Sequence, residues 1–310
     1  MSVLIAGSTG LAGSAIAAAF EGQGHEVVRV NRSVVDLMDL EATKRLLKSS
    51  KPEIVIDAAA KVGGIGANNS YPVEFLADNI RIQSNLLQAA HEAEVEKLVF
   101  MGSSCIYPRD CAQPIKEEYL MTGPLEPTNS AYAIAKIVGI ELVTSYRKEH
   151  GHKWISLMPT NLYGPRDNFN LQESHVLPAL IRRFIEAVET NAPSVTLWGS
   201  GTPLGDFLHV DDLAQAVVLT SQNYGSSIHL NVGSGEDISI KELSLLIASL
   251  TGFKGEIVWD SSRPDGTPRK ILDVSRINAL GWKPTIRLED GIASTISWYK
   301  DASLKGEVRK

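Results

Sequence analysis

The chain has 310 residues, of which 44% are hydrophobic and 21% are charged, and its formal net charge is -6 at pH 7. That length can bury one large core, or one core with a smaller appended domain. The negative charge and the lack of a tract rich in Lys or Arg argue against nucleic acid or an anionic membrane as a partner. Since there is neither a long apolar run nor a basic, apolar leader, we expect a cytoplasmic protein without a membrane span.

The first half of the chain alternates short β-branched runs with longer helical patterns. We predict strands at residues 3–6, 26–30, 54–56, 97–101 and 154–158, and helices near 12–21, 40–49, 73–92 and 130–150. This alternation is typical of a parallel sheet with helices on both faces. The sequence therefore predicts an α/β fold with a Rossmann-type doubly wound parallel sheet. The last two helices are long enough to form a subunit interface.

After residue 163 the pattern loosens into turns rich in Pro and Gly, with helices predicted near 175–190, 210–222 and 239–251. No linker separates two independent halves, so we expect interwoven domains. We assign residues 1–163 and 206–231 to a dinucleotide-binding domain. Residues 164–205 and 232–310 are assigned to a smaller α/β C-terminal domain that binds the substrate.

A glycine-rich turn follows the first predicted strand and opens the first helix. It has the GxxGxxG spacing and comprises Gly7, Ser8, Thr9, Gly10, Leu11, Ala12 and Gly13. Glycines at this place allow a tight turn and let the backbone approach a pyrophosphate at the helix N-terminus. The turn therefore indicates a dinucleotide site, although an ordinary glycine-rich turn between a strand and a helix is an alternative.

The end of the second strand bears on which dinucleotide binds. An NAD enzyme has a carboxylate there for the ribose 2′-hydroxyl, whereas this chain has Asn31 and Arg32. A guanidinium suits a 2′-phosphate, which favours NADPH (NADP after oxidation); a solvated loop charge is the alternative. Further candidate cofactor contacts are Asp36, Leu37, Ala59, Met101, Gly102, Ser103, Lys136, Pro159, Thr160, Asn161, Leu162 and His175.

Tyr132 and Lys136 are one helical turn apart, so their side chains lie on one face of the predicted helix. A nearby ammonium favours the phenolate and is expected to lower the tyrosine pKa toward a value useful for proton transfer. Lys136 is also placed to bind the nicotinamide ribose. A chance Tyr-xxx-Lys pair is the alternative, but the preceding glycine motif argues against it.

The end of the fourth strand carries two further candidates. Ser103 is placed to donate a hydrogen bond to a substrate carbonyl, and Cys105 points to the same side if the strand continues. A thiol in a site that favours the thiolate can act as a general base. The alternative is that Cys105 is simply a small buried hydrophobe. Cys105 and Cys111 lack the CxxC spacing, and we predict no metal site.

Segments along nearly the whole chain resemble the GDP-L-fucose synthases, which are extended short-chain dehydrogenases/reductases. They are residues 58–65 (AAAKVGGI), 102–108 (GSSCIYP), 132–136 (YAIAK), 158–165 (MPTNLYGP), 198–203 (WGSGTP) and 264–270 (PDGTPRK). Such enzymes epimerise C3 and C5 of GDP-4-keto-6-deoxymannose and then reduce its C4 ketone with NADPH. Both carbons are α to the same carbonyl, so one oxyanion-stabilising site can serve all three steps.

The resemblance implies a role for each candidate. Cys105 is the base that removes the α-protons, and His175 is the acid that returns one on the opposite face. Tyr132 protonates the C4 oxygen, Ser103 hydrogen-bonds to it, and Lys136 adjusts the pKa of Tyr132. A GDP-sugar partner and a homodimer are also implied, with substrate contacts from Arg183, Trp198, Asp265 and Lys270.

Two positions depart from the family's pattern. Thr9 stands where the family usually has a basic residue, which leaves the 2′-phosphate to Arg32. Gly205 stands where it usually has an arginine, which removes one contact to the diphosphate and leaves compensation to Arg183 and Lys270.

Two other functions are considered. A 4,6-dehydratase or 4-epimerase that retains NAD has a related fold, but such dehydratases place an Asp-Glu pair where this chain has Cys105 and Ile106. A dinucleotide-sensing regulator is the non-enzymatic alternative. Such regulators tend to lose the Tyr-Lys pair, which this chain keeps.

Overall fold

The computed structural model describes residues 1–263 and 265–309, apart from the side chain of Ile65. Its strands are β1 (Ser2–Ala6), β2 (Glu26–Val30), β3 (Ile54–Asp57), β4 (Lys97–Met101), β5 (Ile155–Pro159), β6 (Asn161–Tyr163), β7 (Ser194–Trp198), β8 (Leu204–Gly205), β9 (Phe207–His209), β10 (Leu230–Val232), β11 (Ile238–Ser239), β12 (Glu256–Asp260) and β13 (Arg269–Lys270). Its helices are α1 (Leu11–Gly22), α2 (Leu40–Ser50), α3 (Ile65–Ser70), α4 (Pro72–Glu92), α5 (Ser130–His150), α6 (Val176–Glu189), α7 (Val210–Asn223), α8 (Ile240–Thr251), α9 (Ser275–Ala279) and α10 (Leu288–Leu304).

Among the described residues, six strands form one central parallel sheet in the order β10-β5-β4-β3-β1-β2. The chain builds outward from β1 to β2 and then crosses to β3 on the other side of β1. This reversal creates a crevice at the carboxyl ends of β1 and β3, which is where open parallel sheets bind ligands.

Both faces of the sheet are covered, so its strands are apolar throughout. On one face α1 and α7 pack through side chains such as Ile16, Phe20 and Leu213. On the other face α2, α4 and α5 enclose a second cluster that includes Leu86 and Phe100. Burial on both faces explains why these strands show continuous β-branched runs instead of alternation.

The C-terminal part has its own core and small sheets. β11, β8 and β13 form one sheet, β7 pairs with β12, and β6 pairs with β9. A third apolar cluster, which includes Phe169, Phe184 and Ile247, packs α6, α8 and α10 together.

The predicted fold class is confirmed, and each of the five predicted strands lies within one residue of its observed bounds. Strand β10 was not predicted because three residues carry too little pattern. Helix α10 was also missed, since Gly291 lowers the helix propensity of its first turn. In the fold a Cβ at residue 291 would lie 3.1 Å from the ring of His209, so close packing explains this glycine. No helix of the described chain has the length and hydropathy needed to cross a bilayer.

Candidate active site

The glycine-rich turn between β1 and α1 has the shape that a dinucleotide pyrophosphate requires. Gly7 has a φ of 81°, and a Cβ there would lie 2.5 Å from the carbonyl oxygen of Ala58. A Cβ on Gly13 would overlap the carbonyl of Gly7. Helix α1 begins after Gly10 without a side-chain cap, so its first N–H groups are available to an anion. The residues present therefore fit a dinucleotide.

The candidate residues for the adenosine end of such a cofactor lie at and after the end of β2 and in the glycine turn. Arg32 and Thr9 are both exposed, with Arg32 directly beyond the end of β2. Asp36 is exposed and its carboxylate accepts a hydrogen bond from the amide of Met38 at 3.0 Å. Leu37 is buried and its carbonyl accepts a hydrogen bond from Asn85 at 2.9 Å. Arg32 is therefore the first basic side chain after the end of β2, and its exposure would let it approach a 2′-phosphate.

The remaining cofactor candidates lie at the carboxyl ends of the central strands. Met101 ends β4 and is followed by the buried Gly102, while Ala59 follows β3 and Pro159 ends β5. The next segment, which includes Leu162, is fixed by polar contacts: the hydroxyl of Thr160 and the amide of Asn161 donate to the carbonyl of Asp206 at 3.1 and 2.9 Å. These residues form the floor of the crevice beside the glycine turn.

Lys136 lies beneath the crevice and is 3% exposed. Its ammonium donates a 2.7 Å hydrogen bond to the carbonyl of Met101 and lies 5.8 Å from the ring centre of Tyr132. Burial lowers the pKa of Lys136, while the charges of Asp57 and Cys105 raise it. Asp57 is fully buried at the end of β3, and burial raises its pKa to about 6. The charges of Asp57 and Lys136 thus affect each other's pKa at this edge of the sheet.

Tyr132 does not have the lowered pKa that its spacing from Lys136 led us to expect. Burial raises the phenol pKa far above its ordinary value, and the thiolate form of Cys105 raises it further. This part of the prediction is wrong because desolvation by the surrounding protein and the nearby Cys105 both raise the pKa of the phenol. The consequence is chemical: Tyr132 stays protonated, which suits a group that donates a proton.

Cys105 reaches the same site by a route other than the one predicted. The strand does not continue past Met101; residues Ser104–Ile106 form a single 3-10 turn instead. The hydroxyl of Ser103 accepts a hydrogen bond from the Cys105 amide at 3.4 Å and so caps that turn. Cys105 is 8% exposed, and burial raises the pKa of its thiol while Lys270, Ser103 and Lys136 lower it.

His175 is the residue immediately before α6, and it is exposed. Desolvation by the surrounding protein atoms is the larger effect that lowers the pKa of His175, and the charge of Lys270 lowers it further. Lys270 therefore acts on both Cys105 and His175, and its own pKa is lowered by burial and raised by Cys105 and Asp206. The three residues come from distant segments, and Lys270 is the one whose charge affects the pKa of the other two.

Residues 61–64 of the glycine-containing segment after β3 support the loop that precedes His175. The amide of Gly64 donates a 2.6 Å hydrogen bond to the carbonyl of Glu173. A Cβ on Gly64 would lie 2.6 Å from the carbonyl oxygen of Ser174, so only glycine allows this approach. The sequence marked this segment as specific without indicating its use, and the contacts of Gly64 show that it supports the loop before His175.

The far end of the loop before His175 is tied to the C-terminus. The amide of Phe169 donates to the carbonyl of Arg309 at 3.0 Å, and Arg309 donates to the carbonyl of Arg166 at 2.8 Å. Asp167 is buried between them, and one of its carboxylate oxygens has no hydrogen-bond partner among the described residues. Burial raises the pKa of Asp167 from 3.8 to about 7, against the lowering effects of the Asn168 amide and Arg309.

We expect Asp167→Asn to stabilise the protein at pH 8 and to have little effect near pH 4. The folded state binds the Asp167 proton more tightly than the unfolded state, so the free energy of unfolding falls as pH rises from about 4 through 7. Removing this group should add about 2–3 kcal/mol of relative stability between pH 5 and pH 8. Urea unfolding at several pH values measures it, with exposed Asp301→Asn as control; an equal gain at all pH values would contradict the prediction.

The substrate candidates lie on the C-terminal part. Trp198 is 63% exposed, and the guanidinium of Arg263 lies 5.0 Å from the centre of its ring. Arg183 donates a long, 3.4 Å hydrogen bond to the carbonyl of Thr196 on the adjoining strand. The carboxylate of Asp265 accepts hydrogen bonds from the amide and hydroxyl of Ser200 at 2.8 and 2.7 Å. Pro264, quoted in the same sequence segment, lies outside the described residues.

A buried polar network behind Cys105 escaped the sequence analysis. The hydroxyl of Tyr107 lies 2.5 Å from the amide oxygen of Asn231 and 3.0 Å from a ring nitrogen of His229. Asn231 in turn donates to the carbonyls of Ile115 and Asp273 at 2.9 and 3.2 Å. This network joins the turn that carries Cys105 to β10 and to the segment after Lys270, which no local pattern could have indicated.

Residues 3–233 match the sequence profile of the NAD dependent epimerase/dehydratase family. The chain belongs to this family. It is 52% identical over 298 residues to a putative GDP-L-fucose synthase 2 of Arabidopsis thaliana, covering 96% of this chain and 91% of that protein. It is 50% identical over 307 residues to the GDP-L-fucose synthase of Escherichia coli K12, covering 96% of each.

Solved structures agree with this membership of the epimerase/dehydratase family. A GDP-L-fucose synthetase from Naegleria fowleri, solved with NADP bound, superimposes with a TM-score of 0.91 at 30% identity. The match covers all of this chain and 96% of that one. The central sheet and the C-terminal sheets therefore share one architecture with a family member that binds a dinucleotide.

Proposed function

We propose that this protein converts GDP-4-keto-6-deoxymannose into GDP-L-fucose, by epimerisation at C3 and C5 followed by NADPH-dependent reduction at C4. The observation that supports it is that Cys105 interacts with Tyr132 and Lys136 of α5, while the charge of Lys270 acts on both Cys105 and His175. Relatives of about 50% identity over nearly the full chain bear the name GDP-L-fucose synthase. An epimerase needs an acid and a base, and a reductase needs a proton donor beside its cofactor.

The glycine turn would hold the cofactor pyrophosphate, Arg32 its 2′-phosphate and Lys136 its nicotinamide ribose. When bound, NADPH supplies the hydride that reduces the C4 ketone. The protein's part is to orient the substrate carbonyl and to provide protons. The hydroxyl of Ser103 is placed at the sheet edge to hydrogen-bond to the carbonyl oxygen, where it would stabilise the negative charge that develops in each step.

Cys105 would remove the protons α to the ketone, and His175 would return them from the other side. Burial alone disfavours the Cys105 thiolate, but the ammonium groups of Lys270 and Lys136 oppose this effect. The lowered pKa of His175 makes its protonated form a stronger acid. Lys270 would thus contribute at the reaction centre, in addition to the diphosphate contact that the resemblance implied.

Tyr132 would protonate the C4 oxygen during reduction. Its raised pKa keeps the phenol protonated until negative charge develops on the substrate oxygen. The ammonium of Lys136 then stabilises the phenolate that remains. A proton donor held in this way serves the reductive step and is not required for deprotonation at C3 or C5.

The nucleotide end of the substrate would lie over the C-terminal part, in residues 164–205 and 232–310. Arg183 and Lys270 supply positive charge for the diphosphate, and the exposed ring of Trp198 offers a flat surface with Arg263 beside it. The carboxylate of Asp265 fixes the turn next to Trp198. Gly205 is buried in β8, where a Cβ would already lie 3.0 Å from the ring of Phe207, so an arginine here would require Phe207 to shift.

The defining assay supplies fresh GDP-4-keto-6-deoxymannose with NADPH and follows the loss of absorbance at the nicotinamide band, with the sugar product identified by NMR. The proposal expects oxidation of NADPH and formation of GDP-L-fucose. No oxidation would sink it. Formation of a 4-keto product from GDP-mannose with NAD would instead identify the dehydratase alternative.

We expect Arg32→Ala to raise the KM for NADPH by about tenfold to a hundredfold and to leave the KM for NADH nearly unchanged. A charge-assisted bond to the 2′-phosphate contributes about 1.5–3 kcal/mol, and NADH has no such phosphate. Steady-state kinetics with both cofactors provide the measurement. Arg29→Ala is the matched control, because Arg29 lies on β2, three residues before Arg32, and pairs with Glu21. Equal losses with NADH and NADPH would remove Arg32 from this role.

A homodimer in the cytoplasm completes the proposal. The long helices α4 and α5 lie side by side on one face of the sheet, and each exposes an apolar side chain, Val73 and Ile134 respectively. Two such helices from each copy would bury these groups in a symmetric interface. Light scattering on the purified protein should give twice the chain mass of 33.6 kDa; a monomer would contradict it.

A further inference from the structure

Asn231 lies in the middle of β10 and is fully buried. The NH2 group of its side chain donates hydrogen bonds to the carbonyls of Ile115 at 2.9 Å and Asp273 at 3.2 Å. Two carbonyl partners determine the orientation of the amide, so its oxygen is the atom that accepts the 2.5 Å hydrogen bond from the phenol of Tyr107. One side chain therefore joins three segments that are distant from one another in the chain.

The first of these segments is the turn that carries Cys105. Tyr107 directly follows that turn, Ser104–Ile106, and its side chain is buried. Because the phenol hydrogen goes to Asn231, the ring nitrogen of His229 at 3.0 Å must donate to the phenol oxygen. Burial lowers the pKa of His229 to about 4, so the imidazole is neutral at pH 7 and carries one N–H. The Tyr107 hydroxyl is thus satisfied as donor and as acceptor, which holds the end of the Cys105 turn in one place.

The second and third segments meet immediately after Lys270. The amide of Ile115 donates to the carbonyl of Ile271 at 2.8 Å, and the amide of Asp273 donates to the carbonyl of Ile115 at 2.8 Å. The amide of Ile271 donates to the side-chain oxygen of Gln113 at 3.0 Å. Residues 113–115 and 271–273 therefore form a short bridge, and Asn231 bonds to a carbonyl on each side of it.

Two charged side chains close this network from behind. The backbone amide of Asn231 donates to the carboxylate of Glu117 at 3.2 Å, and Glu117 lies 3.7 Å from the guanidinium of Arg276. Glu117 is buried, so its negative charge is kept next to its cation. The hydrogen bonds and the ion pair together restrict Asn231 from both its main chain and its side chain.

The separation of the Cys105 thiol from the Lys270 ammonium depends on the positions of both segments. Among the effects that favour the thiolate, the charge of Lys270 is the largest. Charges interact more strongly in a buried site than in water, so a small displacement changes this effect. The other titratable groups that interact with one member of this pair are Lys136, Tyr132, Asp206, Cys111 and His175.

We propose that Asn231 is a positioning residue for the epimerisation, which holds the Cys105 thiol and the Lys270 ammonium at a constant separation. It acts through the Cys105 turn and the segment after Lys270, and not by contact with the substrate. This role rests on the proposed function, which gives the Cys105 thiolate its use as the base.

The test measures alkylation of Cys105 by iodoacetamide from about pH 6 to about pH 10, since the thiolate is the form that reacts. The parent chain carries Cys111→Ser, which leaves Cys105 as its single cysteine. Asn231→Ala should slow alkylation near pH 7 by about threefold to tenfold and move the pH profile upward, because the charge of Lys270 then favours the thiolate less. Tyr107→Phe is the milder variant and should slow it by about twofold in the same direction. A residue that only stabilised the fold would do the opposite, because its loss would expose the thiol and speed alkylation.

The same variants in a Lys270→Met chain show whether Asn231 acts through the ammonium. Without that charge, Asn231→Ala should change the rate by less than about twofold, since both substitutions then remove the same interaction. Asn85→Ala is the matched control; it removes a donor to the carbonyl of Leu37 on α4 and should leave the rate unchanged in either chain. Far-UV circular dichroism checks folding, and Tyr107→Phe alone decides the result if Asn231→Ala does not fold.

The positioning role is overturned if the variants alkylate as fast as their parent chain or faster, or if they lose as much rate in the Lys270→Met chain. Alkylation needs no sugar, so this result is separate from the GDP-sugar assay. Slower alkylation that depends on Lys270, together with no turnover of the GDP-sugar, would support the positioning by Asn231 and remove the proposed epimerase function.

Discussion

Replacing Cys105 with serine should lower the incorporation of deuterium from heavy water at C3 and C5 by about a hundredfold to ten-thousandfold. A serine hydroxyl occupies nearly the same volume, but its pKa is too high for Lys270 and Lys136 to favour the ionised form. The measurement is NMR of the sugar after incubation of GDP-4-keto-6-deoxymannose with the variant in heavy water. Oxidation of NADPH should fall in parallel, because reduction follows epimerisation.

Cys111→Ser is the matched control for that experiment. Cys111 lies in the same segment, is only half-buried, and also feels the charge of Lys270. Its replacement should leave deuterium uptake within about twofold of wild type, since it is not assigned to proton transfer. Normal uptake in Cys105→Ser would assign the base to another group. Equal loss in both cysteine variants would indicate a structural effect of the segment.

Replacing Tyr132 with phenylalanine should separate the two halves of the reaction. Oxidation of NADPH should fall by about a hundredfold to ten-thousandfold, because no group then protonates the C4 oxygen as the hydride arrives. Deuterium uptake at C3 and C5 should persist within about tenfold of wild type, since Cys105 and His175 remain in place. Stopped-flow absorbance and NMR report the two steps on the same sample.

Two controls sharpen the Tyr132 experiment. Tyr146→Phe removes a phenol from the same helix, far from the crevice, and should leave both readouts unchanged. Lys136→Met should slow reduction as well, and should also weaken cofactor binding because Lys136 is placed against the nicotinamide ribose. If Tyr132→Phe abolished deuterium uptake together with reduction, Tyr132 would have to serve epimerisation too.

The Tyr132 case shows where reasoning from spacing fails. A separation of four residues correctly placed Tyr132 and Lys136 on one helical face. It could not indicate that burial would raise the phenol pKa. Desolvation depends on every atom packed around the group, and most of those atoms come from distant segments.

Cys105 illustrates the same limit in geometry. The sequence identified the residue, but the expected mechanism of placement, a continuing strand, was wrong. The chain leaves β4 at Met101 and forms a short turn capped by Ser103, which brings the thiol under the influence of Lys270. Tyr107, which ends this turn, is held by Asn231 and His229, more than a hundred residues away in the chain.

Local sequence by itself determined the parallel sheet, its covering helices, the glycine turn after β1 and the identity of the chemical groups. These features follow from periodicity and backbone freedom, which are properties of neighbouring residues. Only the tertiary structure decided that Lys270 acts on Cys105 and His175. It also decided that residues 61–64 support the loop before His175, and that three histidines (His91, His150 and His152) lie near one another at the opposite edge of the sheet. These arrangements depend on contacts between residues far apart in the chain. Burial and distance determine the pKa of each group and the geometry of the site, and both arise only when the chain folds.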